Sequence, residues 1–172
     1  MIDILPLSRA APDAVEAVLD VAFGIDRHGR TAYRMRQGVR AVPHLSFAAF
    51  DGDVLAGTLQ MWPIELAQPD DTAESLILLG PVAVLPARQR DGIGQAMMQH
   101  ALAAADSAGE TALMLIGDPE YYGRFFGFVA GPTANWEIPG PVERRRLLVR
   151  LTKGRTLAAT GSIRPRQTAP AQ

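Results

Sequence analysis

The stretch with the clearest chemical potential is Gln89-Arg90-Asp91-Gly92-Ile93-Gly94, in which two glycines open a helix-patterned segment. A helix start offers unpaired N–H groups and a partial positive charge, and a residue without Cβ lets an anion approach the backbone closely. A phosphate or diphosphate is the ligand that such a turn suits. A plain corner between strand and helix uses the same residues, so GIG alone leaves both open. The dinucleotide fingerprint GxGxxG fails, because Met97 stands where its third glycine belongs. The P-loop pattern fails too, for want of Gly-Lys-Ser/Thr. Asp118 ends the following strand but lies 26 residues past Gly92 and reads as a helix cap. His28, His44 and His100 show no metal-ligand spacing, and the absence of cysteine removes disulfides, thiolate metal sites and a Cys nucleophile together. No metal site is expected.

The elements that must position this turn follow from periodicity. Ile2 to Leu7 reads as a first strand and Ala14–Phe23 as a helix introduced by Ser8 and Pro12. The arginine-rich segment Asp26 to Arg40 is a polar helix or a mobile loop. His44–Phe50 and Val54–Leu66 are strands flanking Asp51-Gly52, a hairpin turn. Ala67 to Glu74 is a loop, and Ser75–Leu85 a strand buried on both faces. Gly80-Pro81 interrupts that strand, and proline, which cannot donate to a ladder, implies a bulge or a splayed edge there. Gly92–Ala108 is a helix with Ile93, Met97, Met98, Ala101, Leu102 and Ala105 on its apolar face and Gly109 as its cap. Thr111–Ile116 is a strand, Asp118-Pro119-Glu120 starts a short helix, and Arg145–Thr152 is a late strand. The end, Arg164 to Gln172, lacks apolar anchors, and 161–172 reads as a disordered tail after a single domain over 1–160.

Composition narrows the function classes. The chain has 172 residues, 48% of them hydrophobic and 20% charged, with a formal net charge of −1. Neither extended disorder nor nucleic-acid binding driven by bulk positive charge fits that balance. No apolar run approaches the roughly 18–20 residues of a membrane span, and MIDILPLSRA lacks the pattern of a signal peptide. A cytoplasmic, bacterial-type protein acting on a small molecule, without nucleic acid or membrane as partner, is the expectation.

Taken together, Gln89 to Gly94, the preceding V-A-V-x-P of Val82 to Pro86, the eight-residue step from Val84 to Gly92 and YYGRFFGF at Tyr121 to Phe128 resemble the GNAT superfamily of acetyl-CoA-dependent N-acetyltransferases. The order of elements fits from about Ile2 to Leu151, and GDPEYYGRFFGF resembles a bacterial branch of predicted acetyltransferases. The resemblance implies an α/β (α+β in some schemes) GNAT fold. Its central sheet would be mixed but mostly antiparallel, with about six or seven strands flanked by about four helices and splayed at the cofactor cleft.

It also implies roles. Acetyl-CoA is the co-substrate, held by Val82, Ala83 and Val84 along its pantetheine arm and by Gln89, Arg90, Asp91, Gly92, Ile93, Gly94 and Gln95 around its pyrophosphate. Arg88 and Arg90 are further candidates for phosphate contact. The Val82 backbone amide faces the acetyl carbonyl, where it would stabilise an oxyanion. Tyr122 first, and Tyr121 second, would protonate the departing thiolate. The family's commoner spacing Y-x-x-x-G-F is lengthened here by one residue at Phe125-Phe126. Glu65 and Glu74 flank the region where related enzymes place a basic carboxylate. The acceptor is an amine of a small molecule or peptide, and the protein a monomer or homodimer. A non-catalytic acyl-CoA-binding sensor is the alternative.

Overall fold

The computed structural model describes residues 1–168. In chain order they form β1 (Ile2–Pro6), α1 (Pro12–Phe23), α2 (Thr31–Met35), β2 (Phe47–Asp51), β3 (Val54–Ala67), β4 (Ala73–Val84), α3 (Ile93–Ser107), β5 (Ala112–Ile116), α4 (Pro119–Phe126), β6 (Asn135–Glu137), β7 (Leu147–Leu151) and β8 (Thr160–Pro165). The strands make one mixed, mostly antiparallel sheet in the order β1-β2-β3-β4-β5-β7, with β8 joined to β3 and β6 joined to β8. Eight strands and four α-helices among the described residues agree with the expected fold class, with one strand more than expected. The chain divides into two compact units, one of residues Met1–Gly29, Ala41–Met61 and Gly80–Gly109, the other of Arg30–Arg40, Trp62–Leu79 and Glu110 onward.

In the first unit, β1 pairs antiparallel with β2 from Ile2↔Asp51 to Pro6↔Phe47. The expected hairpin joins β2 to β3, with Asp51 opposite Val54. Its turn is therefore Gly52-Asp53, one residue later than expected, and Gly52 takes the positive φ of +60°. Pro12 stands in the first turn of α1 with Asp13 near the positive dipole end. The buried side of α1, Val15, Val18 and Leu19, packs on Ala83 of β4 with Leu55 and Leu85 alongside. The helix α3 buries Ile93, Met97, Met98, Ala101, Leu102 and Ala105, the six residues its periodicity selects. Arg27, from the segment expected to be polar or mobile, is 2% exposed. Its guanidinium is taken up by Asp20 at 3.0 Å and by Glu16.

The second unit is built on β4 and β5, which run parallel with Ile77↔Leu113 and Leu78↔Met114 in register. Antiparallel pairing of β5 with β7, from Ala112↔Leu151 to Ile116↔Leu147, extends it. Its core gathers Met35, Ile64, Leu66, Leu76, Leu78, Met114, Leu147, Val149, Ile163 and the fully buried Trp136. The Trp136 Nε1 donates to Ala158 O at 3.0 Å, so the one polar atom of that ring is satisfied. Here the rest of the arginine-rich segment is ordered: Arg36, 6% exposed, lies 3.8 Å from the Tyr33 ring centre and 4.3 Å from that of Trp62.

The tail expected from 161 is corrected by β8. Residues Ile64–Ala67 of β3 pair antiparallel with Ser162–Pro165, and β6 pairs with the same strand in parallel. Ile163 is the apolar anchor, 3% exposed. The last part of that expected tail, from 169 to 172, lies outside the described residues.

Candidate functional site

The end of β4 has an alternating character that suits it for two tasks. Ala83 is buried against α1, whereas Val82 and Val84 are only partly buried. The expected interruption is a cis Gly80-Pro81 peptide, with Gly80 at φ +136°. The strand assignment runs through it to Val84. Beyond it, Leu85 N–H donates to Ala56 O of β3 at 2.9 Å, and Arg88 N–H to Leu85 O at 2.8 Å. These bonds deliver the chain into the turn Gln89–Gly92.

Gly92 adopts φ +75°, ψ 13°, the left-handed conformation, as N-cap of α3. The first intrahelical bond runs from Ala96 N–H to Gly92 O at 3.0 Å. The amides of Ile93, Gly94 and Gln95 therefore have no acceptor within the helix. A Cβ on Gly92 would meet nothing within 4 Å, and one on Gly94 would lie 3.6 Å from Val84 Cγ2. Gln89, Arg90, Asp91 and Gln95 are exposed around this turn, while the Ile93 side chain, 1% exposed, points inward. Backbone donors, a helix dipole and open space at the glycines together match an anionic group.

Arg88, a candidate for phosphate contact, has two carboxylate partners. Its Nε donates to Asp91 Oδ2 at 2.6 Å and its NH1 to Asp51 Oδ2 at 2.9 Å. The hydrogen bond from Arg88 is the main reason the Asp51 carboxyl lies below its ordinary value, and the two carboxylates, Asp91 ahead of Asp51, push Arg88 up. This arginine ties the turn to the end of β2. A second brace is Gly57 of β3, where a Cβ would lie 2.9 Å from Ala83 O, 2.9 Å from Met97 Cε and 3.3 Å from Ile93 Cγ2.

The tyrosines belong to the second unit. Pro119 and Glu120 open α4 as expected, but the Asp118 side chain makes no cap hydrogen bond. Its carbonyl accepts from Tyr121 N at 3.1 Å and Tyr122 N at 2.9 Å, while Oδ1 faces Arg146 Nε at 3.4 Å. The ion pair with Arg146 has displaced capping as its use. The inserted residue is absorbed at the helix end, where Gly127 turns left-handed at φ +78° and Phe128 N–H returns to Tyr122 O at 3.2 Å. Tyr121 stays exposed, with its ring edge on that of Tyr122 at 4.9 Å. Tyr122 is partly buried, and burial first, then the neighbouring Tyr121 and Asp118, pushes its hydroxyl up to about 12.

The two expected carboxylates also lie in this unit, and both are engaged. Glu65 Oε2 accepts from Arg164 Nε at 2.6 Å, and the same arginine reaches Asp71 at 3.1 Å. Glu74 Oε1 accepts from Ala158 N–H at 2.9 Å. His100 packs edge-on against Phe47 at 4.6 Å. Among the described residues, no group of three or more His, Asp or Glu side chains is arranged to hold a metal, and no helix is long and apolar enough to cross a membrane.

Sequence reasoning missed Gly57, Asp51 and Gly117 as parts of these sites. Gly117 follows β5 directly and lies against the Tyr122 ring; only the spatial neighbours of these residues reveal them.

A family model described as an acetyltransferase (GNAT) domain matches residues 4–129. No curated protein matches. Among solved structures, the GNAT family N-acetyltransferase YhbS from Escherichia coli, in complex with CoA, is similar with a TM-score of 0.69 at 20% identity, over 96% of this chain and 89% of that one. A GNAT family acetyltransferase from Brucella melitensis, in complex with acetyl-CoA, is similar with a TM-score of 0.68 at 24% identity, over 96% of both chains.

Proposed function

The chain belongs to the GNAT acetyltransferase family, and from that premise we propose that it transfers the acetyl group of acetyl-CoA to a primary amine of a small molecule or peptide, by direct attack in a ternary complex. The opening turn of α3 carries this reading. Its unspent amides at Ile93, Gly94 and Gln95 and the left-handed Gly92 with open space beside it fit the pyrophosphate of CoA. Gln89, Arg90 and Asp91 complete the turn. Val82, Ala83 and Val84 take the pantetheine arm as a neighbouring strand would be taken, with the Val82 amide assigned to the acetyl carbonyl oxygen.

In the transfer, the amine nitrogen bonds to the acetyl carbon and the carbon–sulfur bond breaks. The thiolate gains a proton and the new amide nitrogen loses one. Tyr122 is assigned as the proton donor ahead of Tyr121, because its hydroxyl is the more buried and stays protonated far above neutral pH. Glu65 and Glu74 already hold Arg164 and Ala158, so the amine enters neutral or gives its proton to water. Those engaged carboxylates are also the observation that favours the second reading, a sensor that binds acyl-CoA without turnover.

Two measurements separate these readings. Gly94→Asp places a carboxylate where the pyrophosphate belongs, and calorimetry is expected to show acetyl-CoA binding weakened more than tenfold while Gly94→Ala, whose Cβ makes only ordinary contact with Val84, remains folded. Parental affinity in Gly94→Asp would sink the loop assignment. A panel of small amines and peptides is expected to yield amine-dependent CoA release; binding without release across the panel would favour the sensor.

A further inference from the structure

A side chain on Gly117 would run into one edge of the Tyr122 ring. A Cβ built there would lie 2.4 Å from Tyr122 Cε2, 2.7 Å from Tyr122 Cδ2 and 3.2 Å from Leu115 Cδ1. Its φ is not positive, so alanine is conformationally allowed, and the obstacle is the ring. Neither backbone is free to step aside. Gly117 N–H donates to Arg146 O at 2.9 Å, Tyr122 N–H donates to Asp118 O at 2.9 Å, and Tyr122 O accepts from Phe128 N–H at 3.2 Å. The ring is further confined by Tyr121 at 4.9 Å and Phe128 at 6.3 Å, both edge-on, and by Phe126 at 6.2 Å.

We propose that Gly117 is a positioning residue for transfer: by lacking a side chain it seats the Tyr122 ring and so fixes the place of the phenol oxygen. The inference rests on Tyr122 being the proton donor. With both backbones pinned, an added methyl must be relieved by rotation of the ring about its side-chain bonds, and the hydroxyl, at the far tip, moves most. The same seat keeps the ring among its apolar neighbours, where burial holds the proton on the oxygen. The acid is thus specified by two residues five apart, one just after β5 and one in α4, and a Gly-x-x-x-x-Tyr spacing is its signature in this chain.

The test is a double-mutant cycle read in kinetics, stability and fluorine resonance. Gly117→Ala is expected to lower kcat at least tenfold with the KM for acetyl-CoA unchanged, and to cause no further loss in a Tyr122→Phe background. In protein labelled with 3-fluorotyrosine, the Tyr122 signal, identified by its loss in Tyr122→Phe, is expected to shift in Gly117→Ala and to titrate at lower pH than it does in the labelled parent. Because the single variant can fold poorly, its melting temperature is compared in two backgrounds: a clear drop beside Tyr122 and none beside Tyr122→Ala is expected. Parental kcat in Gly117→Ala, equal kcat losses in both kinetic backgrounds, or equal melting drops in both stability backgrounds would overturn the seat. Parental kcat in Tyr122→Phe would instead overturn the donor assignment, leaving the stability cycle and the fluorine signal to judge the seat alone.

Discussion

Arg88 and Asp91 close the turn ahead of α3 upon itself, Nε to Oδ2 at 2.6 Å, and the same guanidinium reaches Asp51 at the end of β2. The turn is therefore held in shape by a pair of charge-assisted hydrogen bonds from one guanidinium. Arg88→Ala is expected to raise the KM for acetyl-CoA severalfold, to flatten its salt dependence and to leave kcat and the melting temperature nearly unchanged, since exposed ion pairs add little to stability. A KM equal to the parent's would show that the turn keeps its shape unaided. The pH dependence has a definite sign. Asp51 is held below its ordinary 3.8, so its bond to Arg88 is complete above that value and is lost as pH falls through the lowered one. Binding near neutral pH is expected to be insensitive to this group.

Tyr122 titrates at the opposite end of the scale. Its hydroxyl, near 12 in the folded chain against an ordinary 10, keeps its proton while an unfolded tyrosine loses its own. Between those values the native state binds more protons, so stability falls as pH rises, by about 1.4 kcal/mol for each unit of separation. An absorbance titration at alkaline pH is expected to show a late phenolate that is absent in Tyr122→Phe. A titration curve unchanged at its alkaline end in Tyr122→Phe would contradict the burial that the donor assignment uses.

Thr58, fully buried in β3, has no hydrogen-bond partner for Oγ1. An unpaired buried hydroxyl costs about 1–3 kcal/mol. Thr58→Val, nearly isosteric, is expected to raise stability to denaturant by about 1 kcal/mol with acetyl-CoA binding unaffected. A loss of stability would mean that the hydroxyl is satisfied.

Gly57 leaves room for Ala83 O, Met97 and Ile93 at once. Gly57→Ala overpacks that junction and is expected to destabilise by roughly 1–3 kcal/mol, with a raised KM for acetyl-CoA, because the strand end and the helix start both shift. Unchanged KM would separate the junction from the binding turn.

How far the sequence foretold this molecule depends on how local each signal is. The β2–β3 hairpin, the buried run at Leu76–Leu79, the six inward residues of α3 and the turn at Gly92 each announce themselves within a dozen residues. The strand β8 does not: T-G-S-I-R-P carries a single buried apolar residue, and its partners in β3 lie about a hundred positions earlier. Three-residue β6 is too short for periodicity. The turn around Gly92 was legible because its residues are consecutive, whereas Arg88 reaches Asp51 across 37 positions. Asp118 misled for a related reason, since its carboxylate is claimed by Arg146 rather than by the amides beside it.

The strand β8 also gives the far half of β3 a covering. Ile64 to Ala67 have their hydrogen-bonding edge matched by Ser162 to Pro165, and Arg164 holds Glu65 at the same point. Were the chain cut back to residue 159, that edge would present a row of unpaired amides and carbonyls beside the strongly apolar Ile64 and Leu66. Such an edge recruits strands from other molecules. The residues least conspicuous by composition thus guard the molecule against self-association, and a cleavage just before them would be felt first as aggregation.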